Sequence, residues 1–391
     1  MKSSLLTFLF ITLAGILLIR EQKNGTFAMA DDYLMSGIES ISHHGKPKPL
    51  VTMVRHNEQS ADISGSPQLT DVDIALFLRT AFKFSPLSVG IAGDLGSKDR
   101  NALVTDILNI QTSRYTGIYF GLLFSSQTER YSPVFNTPGN LKIAGTPPFQ
   151  FSGLSSSIDL PKNVAVGFLN IDEIAARKNL IPSVASYHHA PLPSFALIGL
   201  LTSIAGNKNI PDAGGYLKIR ERAESLIESI SLDELLLKME RFESTKKSDS
   251  LDTLLSGRAI LLGLDSEADR TIVLASGKKY SPLHVEALLL ATLLSGKSVV
   301  EISPYWNLGM SPLLFFPILF LTRLGWLGRF TAFVILFLFA AAASIGLYHY
   351  TALWLPPIPS LGMALGFLIA ALFTPAGIKS SPVMVANPFA Q

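Results

Sequence analysis

The sequence predicts an α/β fold in three parts. An exported, mostly parallel or mixed sheet flanked by helices is held by an N-terminal membrane anchor and three C-terminal transmembrane helices. Three observations carry this. After Glu301 no acidic residue follows, and the only basic ones are Arg323, Arg329 and Lys379. A separate apolar run, Leu5 to Ile19, opens the chain between Lys2 and Arg20. Between these two regions, apolar β-rich runs alternate with amphipathic helical runs, the pattern of strands joined by crossover helices.

The first segment, 1–22, reads as a signal anchor or signal peptide. Ala28-Met29-Ala30 resembles a cleavage site. It lies beyond Arg20, Glu21 and Lys23, farther from the apolar run than is usual, which favours a retained anchor.

The exported domain, about 30–303, follows. Strands are expected at Leu50–Val54, Leu87–Ala92, Gly117–Leu123, Asn163–Leu169 and Ala259–Leu264, with shorter ones at Gly215–Ile219 and Thr271–Leu274. Helices are expected at Thr70–Phe82, Asp99–Ile110, Ser194–Ile204, Ala223–Ile230, Ser231–Met239 and Pro282–Leu294. Ser231 followed three residues later by Glu234 forms a capping box, and Gly296 ends the last helix. Ser125–Lys162, Ser183–Pro193 and the charge run Arg241–Asp252 read as irregular.

The C-terminal region, 304–375, holds spans at about 306–321, 330–348 and 353–373, with no charge from Phe330 to Ile378. Backbone in lipid must satisfy its own hydrogen bonds, so such runs read as membrane helices. Tyr305, Trp306, Trp326, Tyr348, Tyr350 and Trp354 sit near their ends, where interfacial aromatics concentrate. Arg323 and Arg329 flank the first turn, whereas His349–Ala352 holds neither Lys nor Arg. The positive-inside rule then puts the Arg turn in the cytoplasm, the preceding domain outside, and the tail 376–391 in the cytoplasm. The expected location is the inner (plasma) membrane, multi-pass, with the large domain outside.

Composition narrows function. The 391 residues carry 32 Lys+Arg against 30 Asp+Glu, a net +2, and 16% are charged. Near-neutrality argues against a nucleic-acid partner. The absence of cysteine excludes disulfides, thiolate metal sites and a cysteine nucleophile.

Val89–Ser97 holds glycines three apart, a tight turn rather than a dinucleotide fingerprint, and neither a Walker-type loop nor a G-x-S-x-G elbow occurs. The histidines lack H-x-H or H-x-x-x-H spacing, so no metal and no cofactor is expected. Carboxylates after strands are the better candidates. Asp94 follows one strand and Asp265, Glu267 and Asp269 another, and ligands of open α/β sheets sit at the carboxyl ends of strands. The same carboxylates could equally cap the following turns. Without a convincing nucleophile or metal set, a hydrolase using Asp94 and Asp265 is the weakest of the alternatives.

The order of features resembles the second type of CHASE domain, the extracellular sensory domains associated with cyclases and histidine kinases. Asn163–Asp172 with Arg177 and Pro182, Leu192–Leu197, Leu255–Gly263 and Ser281–Gly296 each resemble a segment of that family. The likeness spans about residues 35 to 375. Two departures stand out. Glu286 occupies the place where the family helix usually has His, with His284 two residues earlier. The family's D-x-D-G turn is reduced to Asp172-Glu173.

The resemblance implies a non-catalytic, membrane-anchored sensory or ligand-binding protein. It would pass a small-molecule or protein signal through its membrane helices to a separate membrane-protein partner or a second copy. The tail after the last span is too short for the output domain of its relatives. Asp172, Arg177 and His284 join Asp94, Asp265 and Asp269 as candidate ligand-binding positions. A rigid structural subunit of a membrane complex is the alternative.

Overall fold

The computed structural model describes residues 2–42, 48–56, 71–92, 102–127, 147–155, 164–203, 215–245, 249–265, 271–296, 300–321, 323–351 and 353–374. The chain forms two compact units, Met1–Phe27 with Glu301–Gln391, and Ala28–Val300. The described α-helices of seven residues or more are numbered along the chain. They are α1 (Lys2–Asn24), α2 (Ala28–Ser42), α3 (Asp71–Ala81), α4 (Ala102–Arg114), α5 (Phe195–Ser203), α6 (Leu232–Thr245), α7 (Asp249–Leu255), α8 (Pro282–Leu294), α9 (Met310–Leu319), α10 (Trp326–Thr351) and α11 (Ile358–Phe373).

The unit Ala28–Val300 is built on six strands: β1 (Val51–His56), β2 (Ser88–Ala92), β3 (Ile118–Leu122), β4 (Ala165–Phe168), β5 (Ile227–Ser231) and β6 (Ala259–Leu264). Their order is β5-β1-β6-β2-β3-β4, and every neighbouring pair is parallel. The strands are near-continuous apolar runs because both faces are covered. On one face Val54, Ile91, Phe120, Phe168 and Leu262 pack under α3, α6 and α7. On the other, Met53, Tyr119 and Leu261 pack under α5 and α8. Three neighbouring strands put a glycine on that second face. At Gly167 a Cβ would lie 2.8 Å from the Phe195 backbone nitrogen and the Ser194 carbonyl, so α5 rests directly on the sheet.

Several expectations need correction. The expected helix 223–230 is a 3-10 segment, Glu221–Leu226, followed by edge strand β5. The exposed edge of β1 offered a full ladder, and tertiary pairing overrode helix propensity. Ser231 still caps the next helix, its Oγ accepting from the Glu234 N–H at 3.3 Å. The charge run continues that helix to Thr245 and resumes in α7, because Met239 and Leu251 are buried beneath it. Ser183–Pro193 is a hairpin, Val184–Tyr187 against Ala190–Pro193. His188 and His189 form its turn with φ of 47° and 65°, the left-handed geometry that two-residue hairpin turns require.

In the unit Met1–Phe27 with Glu301–Gln391, α1, α9, α10 and α11 share an apolar core that includes Ile11, Leu314, Leu336 and Phe367. Two helices, Ser4–Asn24 and Trp326–Thr351, are long and apolar enough to cross a membrane. The run expected over 306–321 is broken instead, as a 3-10 segment Pro304–Gly309 followed by the ten-residue α9. A helix of that length reaches only about 15 Å, half of a typical hydrocarbon core. The next helix begins at Trp326, earlier than expected, which brings Arg329 inside its first turns.

Candidate functional site

In an open parallel sheet the binding crevice lies at the carboxyl ends, where neighbouring strands send their connections to opposite faces. β1 leads to α3 on one face, while its neighbour β6 leads towards α8 on the other. Their ends therefore mark the switch point. Here the Asp265 N–H donates to the His56 carbonyl at 3.0 Å, and Asp265 Oδ2 lies 3.7 Å from Arg55 Nη1. The Asp265 side chain is 13% exposed and that of Arg55 45%. His56 is buried, and neither ring nitrogen has a hydrogen-bond partner among the described residues.

His284 joins this group from the first turn of α8. Ser281 caps the helix, its Oγ accepting from the His284 N–H at 3.2 Å, and the ring rests on Tyr280 at 4.8 Å between centroids. Burial holds the imidazole below its ordinary basicity, opposed by Glu224 and Asp265, so the ring is neutral near pH 7. Glu224 accepts from the Tyr280 hydroxyl at 3.3 Å and from Lys278 Nζ at 3.4 Å. Beyond Glu224 lies a cavity of about 450 Å³, lined by Asp32, Tyr33, Glu221, Arg222, Ser276 and Lys278 among others. Glu224, which lines that cavity, and Asp265 at the strand end both act electrostatically on His284.

Of the sequence candidates, Asp265 and His284 come together here. Asp172 and Arg177 belong to a different element. Asp172 caps the helical turn Glu173–Ala176, its Oδ1 accepting from Ile174 and Ala175 N–H at 3.0 and 3.1 Å, while Oδ2 accepts from the Tyr216 hydroxyl at 2.8 Å. Arg177 ends the same turn. Asp172 thus works as a cap rather than as an open ligand. Asp94, Glu267 and Asp269 lie outside the described residues. No group of three or more His, Asp or Glu that could hold a metal occurs among the described residues.

Sequence reasoning passed over Arg55 and His56, and it noted Glu286 only as a departure from the family helix, not as a candidate site residue. Arg55 and His56 were legible as polar residues ending an apolar strand. Glu286, the lone carboxylate in an apolar helix, is fully buried behind the crevice. Its Oε2 accepts from the Ala196 N–H at 2.9 Å, at the start of α5. Burial pushes its carboxyl up to about 8, against the lowering effect of that N–H.

The chain matches no protein-family model, no curated protein and no solved structure.

Proposed function

We propose that this chain is a non-catalytic, membrane-anchored sensory protein of the second CHASE type, whose exported domain passes a signal through membrane helices to a separate partner. One observation carries the reading: an α/β domain is interposed between N- and C-terminal apolar helices that pack with one another as a single unit. A domain so interposed can act on both ends of a helix bundle.

The packing supports a retained anchor and the expected orientation. Gly362-x-x-x-Gly366 on α11 admits α1 closely, in the manner of small-residue seams between membrane helices. A Cβ on Gly362 would lie 2.3 Å from Leu18 Cδ1, and one on Gly15 would lie 2.6 Å from Met363 Sδ. At the outer end, Lys23 Nζ sits 5.1 Å from the centre of the Tyr305 ring. At the inner end, Arg329 Nη1 donates to the carbonyls of Ala371, at 2.6 Å, and Thr374. The start of α10 and the end of α11 therefore share one side, the side the positive-inside rule makes cytoplasmic. In this reading α1 and α10 cross fully, and the shorter α9 and α11 complete the bundle.

Reporter fusions within 200–210 and after Gln391 test the orientation. The first is expected to be active only outside the cytoplasm and the second only inside; a cytoplasmic signal from the first overturns the reading. Thermal-shift screening of the full-length protein, with affinity capture of membrane partners, tests the sensory role. Finding neither a ligand nor a partner sinks it. A stoichiometric complex that forms regardless of stimulus favours a structural subunit instead.

A further inference from the structure

Building on the sensory reading, we propose that the exported domain reads external proton activity through Glu286, which joins α8 to α5 when protonated and releases them when ionised. Glu286 stands in Leu283-His-Val-Glu-Ala-Leu-Leu-Leu290 and is fully buried. One carboxyl oxygen holds the Ala196 N–H at 2.9 Å; the other has no partner among the described residues. An apolar side chain would pack this junction without that liability, since buried polar groups are commonly replaceable by apolar ones of similar volume. The position therefore carries something other than packing.

The surroundings leave the carboxyl uncompensated when it ionises. Phe195–Ser203 of α5 contains no titratable side chain. β3 contributes Tyr119, whose phenol is pushed up by its own burial and by Glu286. α8 itself contributes His284. The 3-10 segment packed on α8 carries Glu221, Arg222 and Glu224, β1 ends in Arg55 and the buried His56, and on β5 Glu228 is paired with Arg258. Burial is the main cause of the raised proton affinity of Glu286, opposed by the Ala196 N–H.

A neutral acid is tolerated in this place. A carboxylate with one hydrogen bond is not, and it is relieved by admitting water between the helices as the proton leaves to solvent. Both helices begin beside strand ends. Ser194, just before α5, bridges Phe168 at the end of β4, and Leu283 of α8 lies against Gly263 near the end of β6. Separating them opens the carboxyl end of the sheet.

Amide hydrogen exchange on the full-length protein in lipid nanodiscs, from pH 6 to 10 and corrected for intrinsic rates, reads this directly. In the wild type, protection of α5 and α8 is expected to fall towards tenfold per pH unit from pH 6 up to about 8 and to level off above it. In Glu286→Gln it is expected to be flat; should that variant fail to fold, Glu286→Leu, which suits the apolar core, is expected to be flat as well. A wild type without the slope, or a variant that keeps it, overturns the proposal. A slope that behaves as expected in a domain that fusions place in the cytoplasm overturns the sensory reading and leaves the proton coupling standing.

Discussion

Two titratable residues of α8, the buried Glu286 and the half-buried His284, give the stability of the α/β unit opposite pH slopes. Glu286 has a raised affinity for its proton when folded, so its contribution is full below the ordinary carboxylate value of 4.5 and is lost as pH rises to about 8. His284 has a lowered affinity, so its contribution is present above 6.5 and is lost as pH falls below it. The Glu286 slope is up to ~1.4 kcal/mol per pH unit. We predict that the thermal midpoint of the wild type falls between pH 5 and 8, and that Glu286→Gln flattens this limb while sparing the acid limb. An unchanged alkaline limb in the variant would show that another group titrates there. Asp172→Ala should cost about 1–2 kcal/mol, because it removes an N-cap and a Tyr216 partner together; chemical denaturation checks this. Asp172 also shows why sites are hard to read from sequence. Its oxygens are spent on backbone and on a tyrosine 44 residues away, and only the fold reveals that.

At the scale of elements, most core strands and helices were legible because their periods and caps are local properties. β5 was not, since Ile-Glu-Ser-Ile-Ser suits a helix turn or an edge strand equally, and the choice was made by β1. The crevice was half legible. The carboxyl-end rule located Asp265, and the family likeness singled out His284. Glu286 stood out only as a departure from the family helix, because its meaning depends on α5, ninety residues earlier. Close helix contacts were invisible for the same reason, and two substitutions probe them. Gly167→Ala sets a methyl against the α5 backbone, which cannot yield as a side chain can, and should cost about 1–3 kcal/mol in thermal or chemical denaturation. Gly362→Leu should loosen α1 from α11. With no native cysteine present, disulfide trapping between cysteines introduced at Ala14 and Leu365 reports that seam cleanly. Intact mass of the wild type should show an N-terminus upstream of Ala30; cleavage there would remove α1 from the bundle and refute its role.

For the whole molecule, the position of β6 sets the order of assembly. It is the last of the six strands in the chain, yet it lies between β1 and β2 and bonds to both. Until residues 259–264 arrive, β1 has only β5 beside it and the β2-β3-β4 half has nothing to join. A chain truncated at Ser256 should therefore lack the cooperative melt of the full domain even though five strands are present; a cooperative transition would refute this. The consequence reaches into biogenesis. During synthesis β1 is made first of the six strands and β6 last, so the sheet stays in two unjoined halves until residue 264 has emerged. A chain that cannot close early keeps its halves open until nearly the whole domain has left the ribosome.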